Sequence, residues 1–174
     1  MISRGNWRWL LVAVLVIIVD QYSKRLIMAN FELFDRHPVL PVFDIVRLHN
    51  TGAAFSFLAN ASGWQNWFFT AVAVGVSAVI LWWLHRQPAG RIVVPLGLAL
   101  VLGGAIGNLI DRLQHGYVVD FLLVHYERWS FPAFNVADSA ITVGVVLLLV
   151  DGFFLEGRRA GSPADAGVSA SKGP

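Results

Sequence analysis

Four stretches of this chain, roughly residues 9–28, 64–84, 92–113 and 135–155, are each apolar enough and long enough to cross about 30 Å of hydrocarbon as a helix rising 1.5 Å per residue. The runs between them are too polar to join them. Only 14% of the residues are charged and 56% are hydrophobic, whereas an average soluble domain is about 25% charged, so the material for a water-facing surface is missing. The chain reads as a multi-pass membrane protein. Its 174 residues leave room for one domain. All seven Trp support the span boundaries: Trp7, Trp9, Trp64, Trp67, Trp82 and Trp83 fall at or just outside span ends, and Trp129 lies in a connection. This is the belt expected where an indole keeps its ring near lipid and its N–H near water. The absence of Cys removes disulfides, thiolate metal sites and a thiol nucleophile. A net charge of +2 gives no case for nucleic acid.

Orientation follows from the cations. Four spans put both termini on one side, which then collects Arg4, Arg8, Arg86, Arg91, Arg158, Arg159 and Lys172. The opposite connections hold only Arg36, Arg47 and Arg128, while Lys24, Arg25 and Arg112 lie within or at the outer ends of spans. The positive-inside rule therefore predicts cytoplasmic termini. The basic start and the apolar run that follows are read as a retained span, because no small-residue cleavage site follows and Asp20, Lys24 and Arg25 come next. Residues 1–156 are expected to form a single integral-membrane domain. Residues 157–174, rich in Gly, Ala and Ser and without apolar periodicity, read as a flexible cytoplasmic tail. In the outer connections, residues 41–50 and 117–121 are rich in Val, Ile and Phe and read as strands. The fold class predicted is an all-α membrane protein, a four-transmembrane-helix bundle with a small extramembrane β-sheet.

An ionisable group inside a span costs at least about 2.5 to 3.5 kcal/mol on insertion scales, so each needs a partner or a purpose. Asp20 and Lys24 sit at i and i+4 on the first span; Asn108, Asp111 and Arg112 share a face of the third; Asn135, Asp138, Ser139 and Thr142 form a polar stripe down the fourth. Given the chain's direction in each span, these groups and Asp120 all fall toward the outer half of the membrane. Asp20 with Lys24, and Asp111 with Arg112, read as internal ion pairs. Asp120 and Asp138 are then left without a cation. Two carboxylates in a partly dry site share a proton, and such a pair can activate water and protonate a leaving amine. The bland reading, a helix-terminal carboxylate and a loop acid, stays open on spacing alone.

Gly103, Gly104 and Gly107 place small residues on one span, a pattern for close helix packing. The five His show no H-E-x-x-H pairing, and Ser56, Ser62 and Ser77 lack a base or a G-x-S-x-G context, so zinc and serine mechanisms are disfavoured.

Five blocks, in order, carry more than their spacing: Asp20-Gln21-Tyr22-Ser23-Lys24, Asn50-Thr51-Gly52-Ala53-Ala54-Phe55-Ser56, the run 103–112 (G-G-A-I-G-N-L-I-D-R), Val118-Val119-Asp120-Phe121, and 134–141 (F-N-V-A-D-S-A-I). Together they resemble the motif set of bacterial lipoprotein signal peptidases, signal peptidase II. The resemblance implies an intramembrane aspartic endopeptidase. Its substrate would be a lipid-modified prolipoprotein, cut just before a Cys bearing diacylglycerol. It assigns catalysis to Asp120 and Asp138, site support to Asn50, Gly52, Asn108, Asp111, Arg112 and Asn135, and a supporting ion pair to Asp20 and Lys24. It further implies a monomer in the bacterial inner membrane, surrounded by membrane lipid, with the site near the periplasmic leaflet, the small sheet on that side, and no cofactor, metal or nucleic acid. Two rival classes remain at this point: a transport protein with Asp20, Asp111 and Asp138 as an ion relay, and an assembly subunit docked through the Gly-rich third span.

Overall fold

The computed structural model describes residues 6–52 and 64–155. Ala53, Ala54, Phe55 and Ser56 of the second block, Ser62, the cations Arg4, Arg158, Arg159 and Lys172, and the tail 157–174 lie outside the described residues. Among the described residues there are four α-helices: α1 (Trp7–Asn30), α2 (Trp64–Arg86), α3 (Val93–His115) and α4 (Val136–Val150), the last continued by a π-helical turn at Asp151–Leu155. By length and composition α2, α3 and residues 136–153 can each cross a membrane. Helix α1 has the length, about 36 Å at 1.5 Å per residue, but carries Arg8, Asp20, Lys24 and Arg25. Where it places those charges therefore matters most.

Helix α3 is the centre. Of its apolar stretch 61% is buried, against 17% in α2 and in α4; the outward faces of those two helices are apolar, as lipid-facing surfaces are. Ala and Gly along α3 let its neighbours approach. An added Cβ at Gly104 would lie 2.3 Å from the Ala137 carbonyl oxygen of α4. Away from the polar groups, Trp9 and Ala13 of α1, Ile80 and Leu84 of α2 and Leu98, Ala99 and Leu102 of α3 form a dry core.

The opposite end of the bundle carries an antiparallel sheet in the order β1 (Arg36–Leu40), β2 (Phe43–Asn50), β3 (Val118–Tyr126), β4 (Trp129–Ser130). The strands expected at 41–50 and 117–121 are present, both trimmed at the start and the second extended to Tyr126. Strands β1 and β4 were not expected: β1 is exposed throughout and holds a Pro, and β4 is two exposed residues, so neither shows alternation. Pairing of β2 with β3 sets Leu48 opposite Asp120 and Asn50 opposite Val118. Ile27 of α1 packs beneath Val119 and Phe121 and seats the sheet on the bundle. Helix α3 ends at Gly116, whose positive φ of 79° lets the chain turn directly into β3. Phe134 pairs through its backbone with Leu122 of β3, which brings the start of α4 beside Asp120.

Candidate active site

The polar groups gather where α1, α3, β3 and the start of α4 meet. Lys24, 1% exposed, points its ammonium at Asp20 Oδ2 (2.8 Å) and Asp111 Oδ2 (2.9 Å) and donates to Asn108 Oδ1 (2.9 Å). Its three donors are thereby used. The Ala137 N–H donates to Asp20 Oδ1 at 2.9 Å, and the Val119 N–H to Asp111 Oδ2 at 3.1 Å. One cation and two carboxylates thus pin four elements together. The ion pair read at Asp111 and Arg112 does not form; Asp111 pairs with Lys24. Consecutive helical residues point about 100° apart, so Asp111 faces α1 while Arg112 turns toward α2. There its guanidinium lies 5.3 Å from the Phe69 ring centre, and Nη1 donates to the Asn108 carbonyl at 3.4 Å.

Asn108 joins this cluster to a second one. An ammonium only donates, so the amide must offer Oδ1 to Lys24, leaving Nδ2 to donate to Asp138 Oδ1 at 2.8 Å. Asn135 is the N-cap of α4, so the helix proper begins at Val136, one residue later than the stripe suggested. Its Oδ1 accepts from the Asp138 N–H (3.0 Å) and its own N–H donates to Asp138 Oδ2 (3.3 Å), a reciprocal capping box. Its Nδ2 donates to Asp120 Oδ1 at 2.8 Å. One buried side chain therefore touches the residues of both orphan carboxylates. Asp120 Oδ2 accepts from Asn50 Nδ2 at 2.9 Å, and Asn50 Oδ1 accepts from the Gly52 N–H at 2.8 Å. Gly52 has φ +92°, and an added Cβ would strike the Phe69 ring at 2.5 Å. The structure thus brings Asn50, Gly52, Asn108, Asp111, Asn135, Asp120 and Asp138 together, with Arg112 beside them and outside the carboxylate contacts.

Asp120 is 3% exposed. Its burial, and then the charge of Asp138, push its pKa up to about 7 against the lowering effect of the Asn50 and Asn135 hydrogen bonds. Asp138 is half-buried and borders a cavity of about 500 Å³ walled by Phe131, Phe134 and Val143. Asp120 borders a second, more polar one of about 300 Å³ with His49, Asn50 and Thr51. Pro132 and Ala133 line both. Among the described residues no three His, Cys, Asp or Glu side chains are grouped as metal ligands would be.

Two contributors escaped the sequence reading. Gln21 donates to Asp111 Oδ1 (2.6 Å) and to the Gly107 carbonyl (3.1 Å); a neutral polar residue next to Asp20 in a span was the available signal. Asp44, buried in β2, is met by Arg36 and by His125 Nε2 (3.1 Å). Nothing in the sequence pairs residue 44 with residue 125 until the strand register is known.

An apolar bundle with a carboxylate-rich polar site at one end is the build of a membrane-embedded functional protein, and the solved structures it resembles are described as membrane enzymes. One, described as a bacterial membrane enzyme at 2.3 Å resolution, superposes with a TM-score of 0.76 at 29% identity over 89% of this chain and 92% of its own. A second, at 1.9 Å, gives 0.74 at 30% identity over 84% and 93%. Residues 12–154 match the signal peptidase (SPase) II family. The lipoprotein signal peptidase of Acinetobacter baumannii is 53% identical over 154 residues, 88% of each chain, and that of Shewanella woodyi 54% identical over 151 residues, 84% of this chain and 86% of its own. The chain belongs to the signal peptidase II family. It is accordingly a peptidase, a multi-pass hydrolase of the bacterial inner membrane.

Proposed function

We propose that this protein removes the signal peptide of diacylglyceryl-modified prolipoproteins, cutting just before the lipidated Cys, with Asp120 and Asp138 as the catalytic pair. The observation that carries the reading is Asn135, which binds the Asp120 carboxylate through its side chain and caps α4 through Asp138. Both carboxylates are held by amide donors and by no cation within ion-pairing distance among the described residues. Amides orient a carboxylate without taking or giving its proton, so the proton stays available to substrate.

A pKa near 7 for Asp120 gives it the acid role: it keeps the proton at rest, donates it to the scissile carbonyl oxygen as water attacks, and recovers one from the gem-diol hydroxyl when the C–N bond breaks. Asp138, beside the larger cavity, takes the proton of the attacking water and passes it to the departing nitrogen. The apolar cavity at Phe131, Phe134 and Val143 suits the lipid-bearing side of the scissile bond, and the polar cavity at Asn50 and Thr51 suits water entry. In this reading α1 is the fourth span, its charges gathered in the polar site and at its ends. Both termini are cytoplasmic by the distribution of Lys and Arg, and the sheet and site lie at the periplasmic leaflet. The molecule acts as a monomer without metal or cofactor; Asn50, Gly52, Asn108, Asp111, Arg112 and Asn135 shape the site, and Asp20 with Lys24 braces it. Reconstitution with a lipid-modified precursor tests this: mass analysis should place the cut before the lipidated Cys, and Asp120→Asn and Asp138→Asn should each give no product. Parent-level product from either variant would remove that residue from the pair.

A further inference from the structure

A groove of about 480 Å³ between α1 and α3 takes no part in the chemistry above. Its walls are Ile17, Ile18, Gln21, Tyr22 and Arg25 of α1 with Ile110 and Gln114 of α3. The two helices run parallel here: Gly103 meets Ala13 and Val16, Gly107 meets Asp20, and Asp111 meets Lys24. Both present apolar residues first and polar ones nearer the sheet, Ile17 and Ile18 before Arg25, Ile110 before Gln114. Arg25 lies seven residues beyond Ile18, about 10 Å along the axis. It is exposed and forms no ion pair among the described residues, because the carboxylates beside it on the helix pair, Asp20 and Asp111, are held by Lys24. The surrounding surface of α1, with Leu15, Ile18 and Val19 exposed, faces hydrocarbon.

We infer that this groove binds an anionic phospholipid of the surrounding leaflet, its phosphate on Arg25 and an acyl chain along Ile17, Ile18 and Ile110. The apolar-to-cationic order along the groove fits an amphiphile. A partner helix would leave Arg25 uncompensated, and a free phosphate would leave the apolar wall bare. Gln21, one of the lining residues, is fixed by its hydrogen bonds to Asp111 and Gly107, so that part of the groove is set before the lipid arrives.

Native mass spectrometry of the purified full-length protein with phosphatidylglycerol or phosphatidylcholine of identical chains tests it. The parent should retain the anionic lipid about fivefold more strongly, the worth of one cation near a membrane surface. Arg25→Gln should erase the preference and Arg25→Lys should keep most of it. Ile18→Trp, which fills the groove from an exposed position, should weaken retention of both lipids. Arg128→Gln, at the exposed turn between β3 and β4, should leave the preference intact. Equal retention of the two lipids by the parent, an unchanged preference in Arg25→Gln, or a loss in Arg128→Gln as large as in Arg25→Gln would overturn the proposal. So would displacement of the lipid by millimolar inorganic phosphate, or a second polypeptide chain occupying the site.

Discussion

Two sets of carboxylates stand side by side in this protein and are treated in opposite ways. Asp20 and Asp111 share the Lys24 ammonium at 2.8 and 2.9 Å and accept backbone N–H groups from α4 and β3. Among the described residues Asp120 and Asp138 receive only neutral donors, from Asn50, Asn135, Asn108 and the backbone. A cation fixes both position and charge; an amide fixes position and leaves the charge free to change. The first set can serve as a strut and the second as a reaction centre, and Asn108 keeps the two in register because the ammonium dictates which end of its amide faces Asp138. On the proposed mechanism the same side-chain type does different work according to whether its partner carries charge.

The sharpest way to break this comparison is to neutralise one carboxylate from each set. On the proposed mechanism Asp120→Asn and Asp138→Asn lose activity by about 10²–10⁴-fold, the range for removing a general acid or base, with thermal unfolding close to the parent. The double variant should be no worse than either single one, since the pair acts as a unit. Independent, multiplying losses would show the two carboxylates working apart.

Lys24→Met attacks the strut. It leaves Asp20 and Asp111 facing each other without a cation, and breaking a buried pair in this way costs about 3–5 kcal/mol. The expected result is a large fall in Tm in detergent. Any remaining activity should track the folded fraction. A Lys24→Met protein as stable as the parent but inactive would move Lys24 out of the strut and into the chemistry.

A smaller effect comes from pH. The pKa of Asp120 rises on folding from the ordinary value of 3.8 to about 7, through burial and the charge of Asp138. The native state therefore binds the proton more tightly than the unfolded chain, so this group's contribution to stability is complete below about pH 4 and is lost as pH rises through about 7. Unfolding measured across that window should show a falling limb that Asp120→Asn flattens. Activity should decline on the alkaline side with an apparent pKa that belongs to the pair.

How far the sequence reveals this arrangement depends on the kind of contact. The helices are legible because an apolar run of about 20 residues has few alternatives to a span, and the i, i+4 spacing of Asp20 and Lys24 places their meeting on one helix face. The strand at 41–50 shows in its composition. The partnership of Lys24 with Asp111 is not legible, because it depends on the parallel packing of α1 against α3 through Gly103 and Gly107; adjacency in sequence pointed to Arg112 instead. The link from Asn135 to Asp120 needs the register of Phe134 on β3. Asn108 and Asn135 carry no charge to flag them, and spacing alone could not say which way either amide turns.

Asp44 gives the mildest test, because it resembles the strut in chemistry and differs in place. It is buried in β2 and met by the Arg36 Nε and by His125 Nε2. Burial alone would raise its pKa, but the close approach of His125 and Arg36 outweighs that and holds it below the ordinary value. A lowered carboxylate stabilises the fold above its ordinary value near 3.8 and loses that contribution as pH falls through its folded value. The Arg36 side chain is 52% exposed, so water screens its share and leaves less to lose than at Lys24. Asp44→Asn should lower Tm slightly at pH 7, make progressively less difference as pH falls below the ordinary carboxylate range, and leave cleavage unchanged, since Asp44 does not touch the carboxylate pair. A loss of stability as large as that of Lys24→Met would mean that an outlying cation pair braces the fold as firmly as a buried one. The contrast between the two carboxylate sets would then rest on the presence of a cation alone, and burial would have no part in it.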